Sequence, residues 1–189
     1  MQGGDIMEVP LTGFHEILAP RIAVLVSTID KDGNPNAAPY SLAGPLSFDP
    51  PLAYFSAAPK RHTLANVRET GEFVLNIAPE DLLERLWICS KPFARGVSEI
   101  SEAGLTARQS RQVRPPSIEE CTGWIECKLE FEKETGDHIL VVGRVVHAEC
   151  KDEVAEGKEI HVSRARTLMH IRGRRFVVAE RMVLARDVD

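Results

Sequence analysis

The sequence lacks the motifs that mark the common nucleotide-binding and hydrolytic folds. It contains no GxGxxG after a predicted strand, no GxxxxGK followed by Ser or Thr, no GxSxG and no HExxH. Each of these motifs builds a defined part of a site: a dinucleotide-binding turn, a phosphate loop, a nucleophile elbow or a zinc-binding helix. Their absence leaves those folds without support in this chain.

Cysteines are few, and their spacing does not suit a metal. The chain has four, at Cys89, Cys121, Cys127 and Cys150, and none forms a CxxC pair. They lie within or beside apolar stretches. Because a structural zinc site requires two close pairs of Cys or His, we predict reduced, buried thiols and no metal site.

The sequence also lacks an excess of positive charge and a long apolar run. The net charge is −5 and the pI is about 5.7, which argues against a nucleic-acid-binding surface. Residues 1–6 contain no basic segment followed by an apolar stretch, and no window is long enough to cross a bilayer. We therefore predict an acidic cytoplasmic protein with neither a nucleic-acid partner nor a membrane partner.

Short apolar runs of β-branched residues dominate the first third of the chain. A chain of 189 residues can bury one sizeable core, so we predict one domain over 1–189, with its core at about 15–150 and a C-terminal extension over 151–189. The first third contains three predicted strands, at 21–29, 36–41 and 52–56.

The middle of the chain mixes helical and extended patterns. Helical spacing from Thr63 with a glycine stop at Gly71 predicts a short helix, and 81–89 predicts a second one. A strand at 73–77 separates them. The stretch 91–116 is rich in Ser, Arg, Gly and Pro without a sustained period, which is typical of a long surface loop.

The last third returns to strand patterns. Residues 123–132 alternate apolar and charged side chains, as a strand with one wet face does, and 138–149 supply the hairpin partner. A small terminal hairpin is predicted from 167–171 and 175–179. Many short strands, few helices and no regular βαβ alternation predict a mainly β fold, a barrel with appended helices.

One anion site is suggested by the residues themselves. Lys60 and Arg61 immediately precede the helix that begins near His62 or Thr63. Two cations, a hydroxyl group and the free N–H groups of a helix start would converge there. The alternative is that both cations are solvated and that Thr63 is only an N-cap.

Three further segments have both a functional and a purely structural interpretation. His138 begins a predicted strand and could lie near a cofactor, although a lone histidine is more often a surface or capping group. Residues 36–41 could be an edge strand interrupted by Pro39 without any ligand. Residues 93–96 could be an ordinary flexible loop.

A series of segments resembles the flavin reductase-like, FMN-binding family. They run in the family's order at 20–23, 27–28, Gly33, 36–41, 47–51, 60–63 with Asn66, 71–76, 98–106 and 136–138 with Gly143. The match covers about four fifths of the chain, and ordered motifs are more specific than any one alone. The resemblance implies a six-stranded split β-barrel, completed at its end or at the dimer by 151–189, and FMN at or near the interface of a homodimer.

The resemblance also implies roles for individual positions. The backbone of 36–41 would run along the isoalloxazine ring, where short side chains permit close approach. The ribityl chain and phosphate would lie at Ser56, Lys60, Arg61, Thr63 and Asn66. Phe93 and Arg95 would flank the flavin or a nicotinamide, and His138 would lie near the reactive face. The implied cofactor-binding residues are Asn36, Ala37, Ala38, Pro39, Tyr40, Ser41, Ser56, Lys60, Arg61, Thr63, Asn66, Phe93 and Arg95.

The implied activity is hydride transfer from NADH or NADPH to flavin, with electrons passed to an acceptor such as a protein partner or a monooxygenase. The flavin carries this chemistry, so no protein catalytic residue is implied. Two alternatives stay open: an FMN electron carrier for a protein partner, and a non-enzymatic FMN- or haem-binding module. Haem is the less favoured ligand because His138, His147 and His170 form no axial-ligand motif.

The end of the chain matches the family less well. Residues 168–176 keep only the outline of the family's final hairpin and contain extra arginines, at Arg172, Arg174 and Arg175. This departure weakens the prediction for the end of the barrel and indicates a different partner or substrate near the dimer surface.

Overall fold

The computed structural model describes residues 6–157 and 159–185. Its strands are β1 Arg21–Ile22, β2 Val24–Ile29, β3 Pro35–Tyr40, β4 Ala43–Phe48, β5 Pro51–Ala57, β6 Glu72–Ile77, β7 Ala107–Arg108, β8 Ser117–Ile118, β9 Gly123–Thr135, β10 His138–Cys150, β11 Ala155–Glu156, β12 Glu159–Ile160, β13 Leu168–Arg172 and β14 Arg175–Val178. Its α-helices are α1 His62–Thr70, α2 Leu83–Ile88, α3 Glu99–Glu102 and α4 Val162–Ala165, and 3-10 helices lie at Leu11–Glu16, Glu80–Leu82 and Asp152–Val154.

Seven strands form one antiparallel sheet in the order β3-β2-β6-β9-β10-β5-β4. The two edge strands, β3 and β4, are joined by only Ser41 and Leu42. Because so short a link spans roughly 10 Å at most, the two edges of the sheet must come together. The Ser56 N–H also donates to the Leu42 carbonyl at 2.8 Å, next to this junction. The sheet is therefore rolled into a barrel.

The prediction of a mainly β barrel with appended helices is confirmed, with one strand more than the six expected. The additional strand is β4, which pairs with β5 at the edge of the sheet. Its sequence includes Gly44 and Pro45 and has no β-branched residue, so it carries little strand propensity of its own. Pairing with β5 determines its conformation.

The predicted terminal hairpin is also present and extends a second sheet. β13 pairs with β14 and also with β1, so that Arg21 lies opposite His170. The predicted strand at 21–29 is divided at Ala23, whose N–H donates to the Leu168 carbonyl. The C-terminal segment is thereby attached to the start of the barrel.

Both faces of the central strands are buried. Phe55, Phe73 and Val141 lie in the cluster that fills the barrel. On the opposite face, Leu25 and Val74 belong to a second cluster. That cluster also contains Leu86, Ile100 and Leu168, from α2, α3 and β13. Burial on both faces explains why β2 is a nearly continuous apolar run rather than an alternating one.

The segment 91–116 is more structured than the surface loop that its composition predicts. It contains α3 and β7, and its last part is held by a carboxylate of β9. Glu126 is fully buried and accepts the backbone N–H groups of Arg111 at 2.8 Å and Gln112 at 2.6 Å. The alternation of β9 predicts a solvated side chain at Glu126, and this prediction is wrong because the segment folds back over that face and supplies the donors.

The two predicted helices begin and end close to the expected positions. α1 ends at Thr70 and is followed by Gly71 in the left-handed conformation, with φ of 71°. The helix expected at 81–89 consists of a 3-10 turn at Glu80–Leu82 and then α2. Among residues 6–157 and 159–185, no helix is long and apolar enough to cross a membrane.

Candidate functional site

A cavity of about 400 Å³ opens between the edge of the barrel and the helices. Its walls come from β3, the end of β5, the start of α1, the α2–α3 connection and the start of β10. The lining residues are Asn36, Ala38, Pro39, Tyr40, Ser41, Leu42, Ser56, Ala58, Lys60, Arg61, His62, Thr63, Cys89, Ser90, Lys91, Pro92, Phe93, Glu99 and His138.

The structure brings most of the predicted site residues to this cavity. From the cofactor-binding set, the lining includes Asn36, Ala38, Pro39, Tyr40, Ser41, Ser56, Lys60, Arg61, Thr63 and Phe93. His138, the residue predicted near the reactive face, is also a lining residue. Residues as far apart in sequence as Asn36 and His138 therefore converge on one concave surface.

Three predicted residues do not line the cavity. Ala37 is fully buried on the opposite face of β3, within the core cluster of α2 and α3. Asn66 is buried behind the wall. Arg95 is not among the lining residues and pairs with Glu69 at 2.6 Å on the surface. For Ala37 the reason is the strand period, since alternate residues of β3 face opposite sides.

The start of α1 faces the cavity without a side-chain cap. The N-cap residue is Arg61, in extended conformation, and its side chain makes no capping hydrogen bond. The alternative interpretation of Thr63 as an N-cap is therefore wrong, since its hydroxyl donates to the Asn36 amide oxygen at 3.2 Å. The N–H groups of the first helical turn have no intrahelical acceptor, and the exposed cations Lys60 and Arg61 stand beside them. This end of the cavity suits an anion.

A buried polar network fixes the wall next to this helix start. The Asn36 amide oxygen accepts the Thr63 hydroxyl at 3.2 Å and the Thr28 hydroxyl at 3.4 Å. The Asn36 amide nitrogen donates to the Glu99 carboxylate at 2.7 Å. Asn66 donates to the Thr28 hydroxyl at 3.1 Å, so it supports the wall from behind. Because every polar end of Asn36 is engaged, its orientation is determined.

Glu99 is the main residue that sequence reasoning missed. It belongs to α3, lines the cavity and is only 5% exposed. Burial raises the pKa of its carboxyl above the ordinary value, and backbone N–H groups, including that of Ala37, oppose the rise. The one sequence feature that could have indicated a site role for Glu99 is its place within 98–106, a segment that resembles the family. The composition of that region predicts only a surface loop.

Tyr40 has a buried hydroxyl that makes no hydrogen bond to any residue in the described ranges. Its ring packs on Phe55 with the centroids 5.0 Å apart, and burial raises the pKa of its hydroxyl against an opposing effect of the nearby Thr63 side chain. A buried hydroxyl without a partner is costly. Because Tyr40 lines the cavity, a polar atom of a bound molecule could satisfy it.

The wall of the cavity is hydrogen-bonded to the C-terminal hairpin at Ser41. His170 Nε2 lies 3.1 Å from the Gly173 carbonyl, so it donates, and Nδ1 then accepts the Ser41 hydroxyl at 3.0 Å. Ser41 also lines a smaller apolar cavity of about 290 Å³ with Trp87 and Phe176. Ser41 therefore connects the arginine-rich hairpin with the main cavity.

His138 is held at the cavity rim by its neighbour. Its Nδ1 lies 2.8 Å from a carboxylate oxygen of Asp137, and this contact lowers the pKa of Asp137. The side chain of His138 is about one third exposed. Its other ring nitrogen is thus available to solvent or to a ligand at the rim.

The cysteines carry no reactive thiolate at this site. Cys89, Cys121 and Cys127 are buried and free, as predicted, whereas Cys150 is only half-buried. Burial raises the pKa of Cys89 to about 12 and that of Cys127 to about 12, and it raises the pKa of Cys121 as well. Cys89 lines the cavity as a neutral thiol. Within the described ranges, no three His, Cys, Asp or Glu side chains are grouped to hold a metal ion.

The family assignment rests on nearly the whole described chain. The model of the flavin reductase like domain matches residues 18–179. The chain belongs to this family. A flavin reductase from Pseudomonas putida is 27% identical over 128 residues, which is 68% of this chain and 72% of that protein. The sequence-based family prediction is confirmed.

Several solved structures share this fold. Nitrilotriacetate monooxygenase component B from Bacillus cereus has a TM-score of 0.85 and 26% identity, with 98% of each chain covered. A protein assigned as a flavin reductase with a split barrel domain, from Shewanella frigidimarina, has a TM-score of 0.82 and 20% identity over 95% of this chain and 94% of that one. An FMN-binding protein from Thermus thermophilus has a TM-score of 0.82 and 22% identity over 97% and 99%. The barrel described above is a split barrel.

Proposed function

We propose that this flavin reductase family member binds FMN in the cavity of about 400 Å³ and reduces it with NADH or NADPH. The observation that carries the proposal is the uncapped start of α1 beside Lys60 and Arg61, at one end of a cavity whose long wall is an edge strand. A helix N-terminus with two cations suits a phosphate, and a flat wall suits a flat ring.

The residues present fit this group. The cavity volume lies within the range of roughly 300–1,000 Å³ that is typical of cofactor pockets. β3 pairs with β2 only, so backbone groups along its outer edge, apart from the Ala37 N–H that bonds Glu99, can bond the polar edge of a ring. Ala38 and Pro39 provide short side chains there, and the unpartnered hydroxyl of Tyr40 lies in the same wall.

The chain's own residues then have distinct tasks. Lys60, Arg61 and the first N–H groups of α1 bind the phosphate, and Ser56 binds the ribityl chain. Thr63 and Asn66 act through Asn36, because their side chains bond to its network rather than to the open cavity. Phe93 and His138 also line the cavity, and a nicotinamide could approach beside them. Arg95 has no role in this arrangement, since it pairs with Glu69.

Bound FMN supplies the hydride and electron chemistry, so the protein needs to bind, orient and shield the ring. A protein with this role needs no nucleophile of its own, and the neutral thiol of Cys89 at the cavity agrees with that. Nitrilotriacetate monooxygenase component B, by its name, is one part of a monooxygenase system. We propose by analogy that the acceptor of electrons is a partner protein such as a monooxygenase.

A homodimer is part of the proposal. β4 carries large apolar side chains on the outside of the barrel, among them Leu46 and Phe48, and Phe48 is 91% exposed. Exposed apolar side chains on an edge strand favour association, because they would otherwise remain in water. We expect light scattering during size-exclusion chromatography to give twice the monomer mass of 21.0 kDa.

The proposal is tested with purified protein that is mixed with FMN and then desalted. We expect the flavin absorbance to remain with the protein and to bleach when NADH or NADPH is added without oxygen. Retained flavin that no nicotinamide bleaches would contradict the reductase activity and favour a non-enzymatic FMN-binding protein. Loss of all flavin, with no turnover when free FMN is present, would contradict the FMN site itself.

A further inference from the structure

Glu99 places a carboxyl group in the wall of the same cavity that the helix start makes favourable for anions. It is 5% exposed, and its neighbour across the wall is Asn36, which itself contacts Thr63 in the first turn of α1. A carboxylate so close to an anion site opposes anion binding, unless it is neutral. The proposed function does not use this group.

The charged and titratable groups that face Glu99 come from every surrounding element. No cation in the described part of the chain forms an ion pair with it, and among the side chains at the start of α1, His62 opposes the rise in the pKa of Glu99. The groups that line the cavity with it are Lys60, Arg61 and His62 at the start of α1, Tyr40 on β3, Cys89 and Lys91 after α2, and His138 on β10.

We propose that Glu99 takes up one proton when the phosphate of FMN occupies the cavity, so that flavin affinity depends on pH through this residue. The inference rests on the proposed FMN site and identifies how that site is regulated. The proton comes from solvent and resides on the carboxyl group of Glu99.

The wall can hold either protonation state. Asn36 donates to one carboxylate oxygen of Glu99, and a proton on the other oxygen leaves that hydrogen bond in place. Thr63 and Thr28 occupy the amide oxygen of Asn36, so the amide cannot rotate to donate elsewhere without losing both. Proton uptake therefore changes the charge of the wall while the Asn36 hydrogen bonds stay in place, and it weakens the bonds that the backbone N–H groups of Glu99 and Ala37 donate to the carboxylate.

The direction of the effect follows from electrostatics. Burial already raises the pKa of Glu99 in the free protein. A bound phosphate adds repulsion between like charges, and the ligand excludes water, so both effects raise the pKa further. Protons are therefore taken up at pH values between the pKa of the free state and that of the bound state. Across this interval affinity falls as pH rises, by up to about tenfold per pH unit for one proton.

The test is calorimetric titration of the full chain with FMN in pairs of buffers that differ in ionisation enthalpy, from about pH 5 to 8. The difference between buffers gives the number of protons taken up. We expect the wild type to take up more protons than Glu99→Gln, by as much as one, and Glu99→Gln to bind with less dependence on pH. Glu102→Gln is the matched control, since Glu102 is exposed on the same helix. It should behave as the wild type.

Glu99→Asp and riboflavin separate a proton site from a structural role. Glu99→Asp retains a carboxyl group and should restore proton uptake, whereas riboflavin has no phosphate and should cause less uptake in the wild type. FMN binding with equal proton uptake in the wild type and Glu99→Gln would overturn the role of Glu99 and leave the FMN site standing. Absence of FMN binding to the wild type would instead overturn the proposed function and, with it, this inference.

Discussion

Charge at the start of α1 distinguishes a phosphate site from an ordinary surface. Lys60 and Arg61 are exposed and line the cavity, whereas Arg68, at the other end of the same helix, is paired with Glu132 at 2.8 Å. An arginine that already has a carboxylate partner contributes little to a distant ligand. The helix therefore offers a test residue and a matched control.

Replacing Arg61 with alanine should weaken FMN binding by roughly tenfold, because one charge-assisted contact to the phosphate is lost. The binding of riboflavin, which has no phosphate, should change little. Fluorescence titration with both flavins measures the two affinities. Arg68→Ala should leave both unchanged, and an equal loss of FMN and riboflavin affinity in Arg61→Ala would argue against a phosphate contact.

The thiols provide a second prediction at the level of residues. With pKa values of about 12, Cys89 and Cys127 are almost wholly protonated at about pH 8, and Cys121 is buried as well. We expect native protein to give at most one fast-reacting equivalent with a disulfide reagent, from Cys150. Unfolded protein should give four. Rapid reaction of several thiols in the native state would show that the core is more open than described.

At the scale of elements, the long hairpin β9–β10 depends on one small residue. Gly143 lies in β10 at a register shift, over the side chains of Phe73 and Cys127 inside the barrel. A Cβ atom at Gly143 would lie 2.7 Å from the Cβ of Cys127 and would also overlap the ring of Phe73. β10 can pack this closely on Phe73 and Cys127 only because Gly143 has no side chain.

Gly143→Ala should therefore lower the free energy of unfolding by about 1–3 kcal/mol, the usual cost of overpacking a core. Chemical denaturation measures this change. Gly123→Ala is the control within the same hairpin, because its Cβ would meet neighbours at ordinary contact distances of 3.5 Å or more. Equal stability of Gly143→Ala and the wild type would mean that the barrel core is looser than the structure indicates.

Elements with a strong local pattern could be predicted from the sequence. The apolar run of β2, the alternation of β9 and the glycine stop after α1 each follow from neighbouring residues. β4 could not, since Gly44 and Pro45 give it no strand pattern and its pairing with β5 is tertiary. The same holds for Glu126, whose partners are backbone groups of residues Arg111 and Gln112 that fold back onto β9.

At the scale of the whole molecule, closure of the barrel creates the site. The link at Ser41 and Leu42 brings the two edges of the sheet together, and residues of β3 and β5 then share one cavity with α1. The segments that resemble the family, in the same order along the chain, contain most of these residues, from Asn36 to His138. They could not distinguish the cavity wall from the residues behind it, because Ala37 and Asn66 are separated from the cavity only by side-chain direction.

The most direct test of the FMN site is a crystal structure of the protein grown with FMN. We expect the phosphate within hydrogen-bonding distance of the first N–H groups of α1 and of Lys60 or Arg61, with the ring along Ala38 to Ser41. Flavin bound elsewhere, or bound in the cavity with its phosphate away from α1, would contradict the assignment of this site.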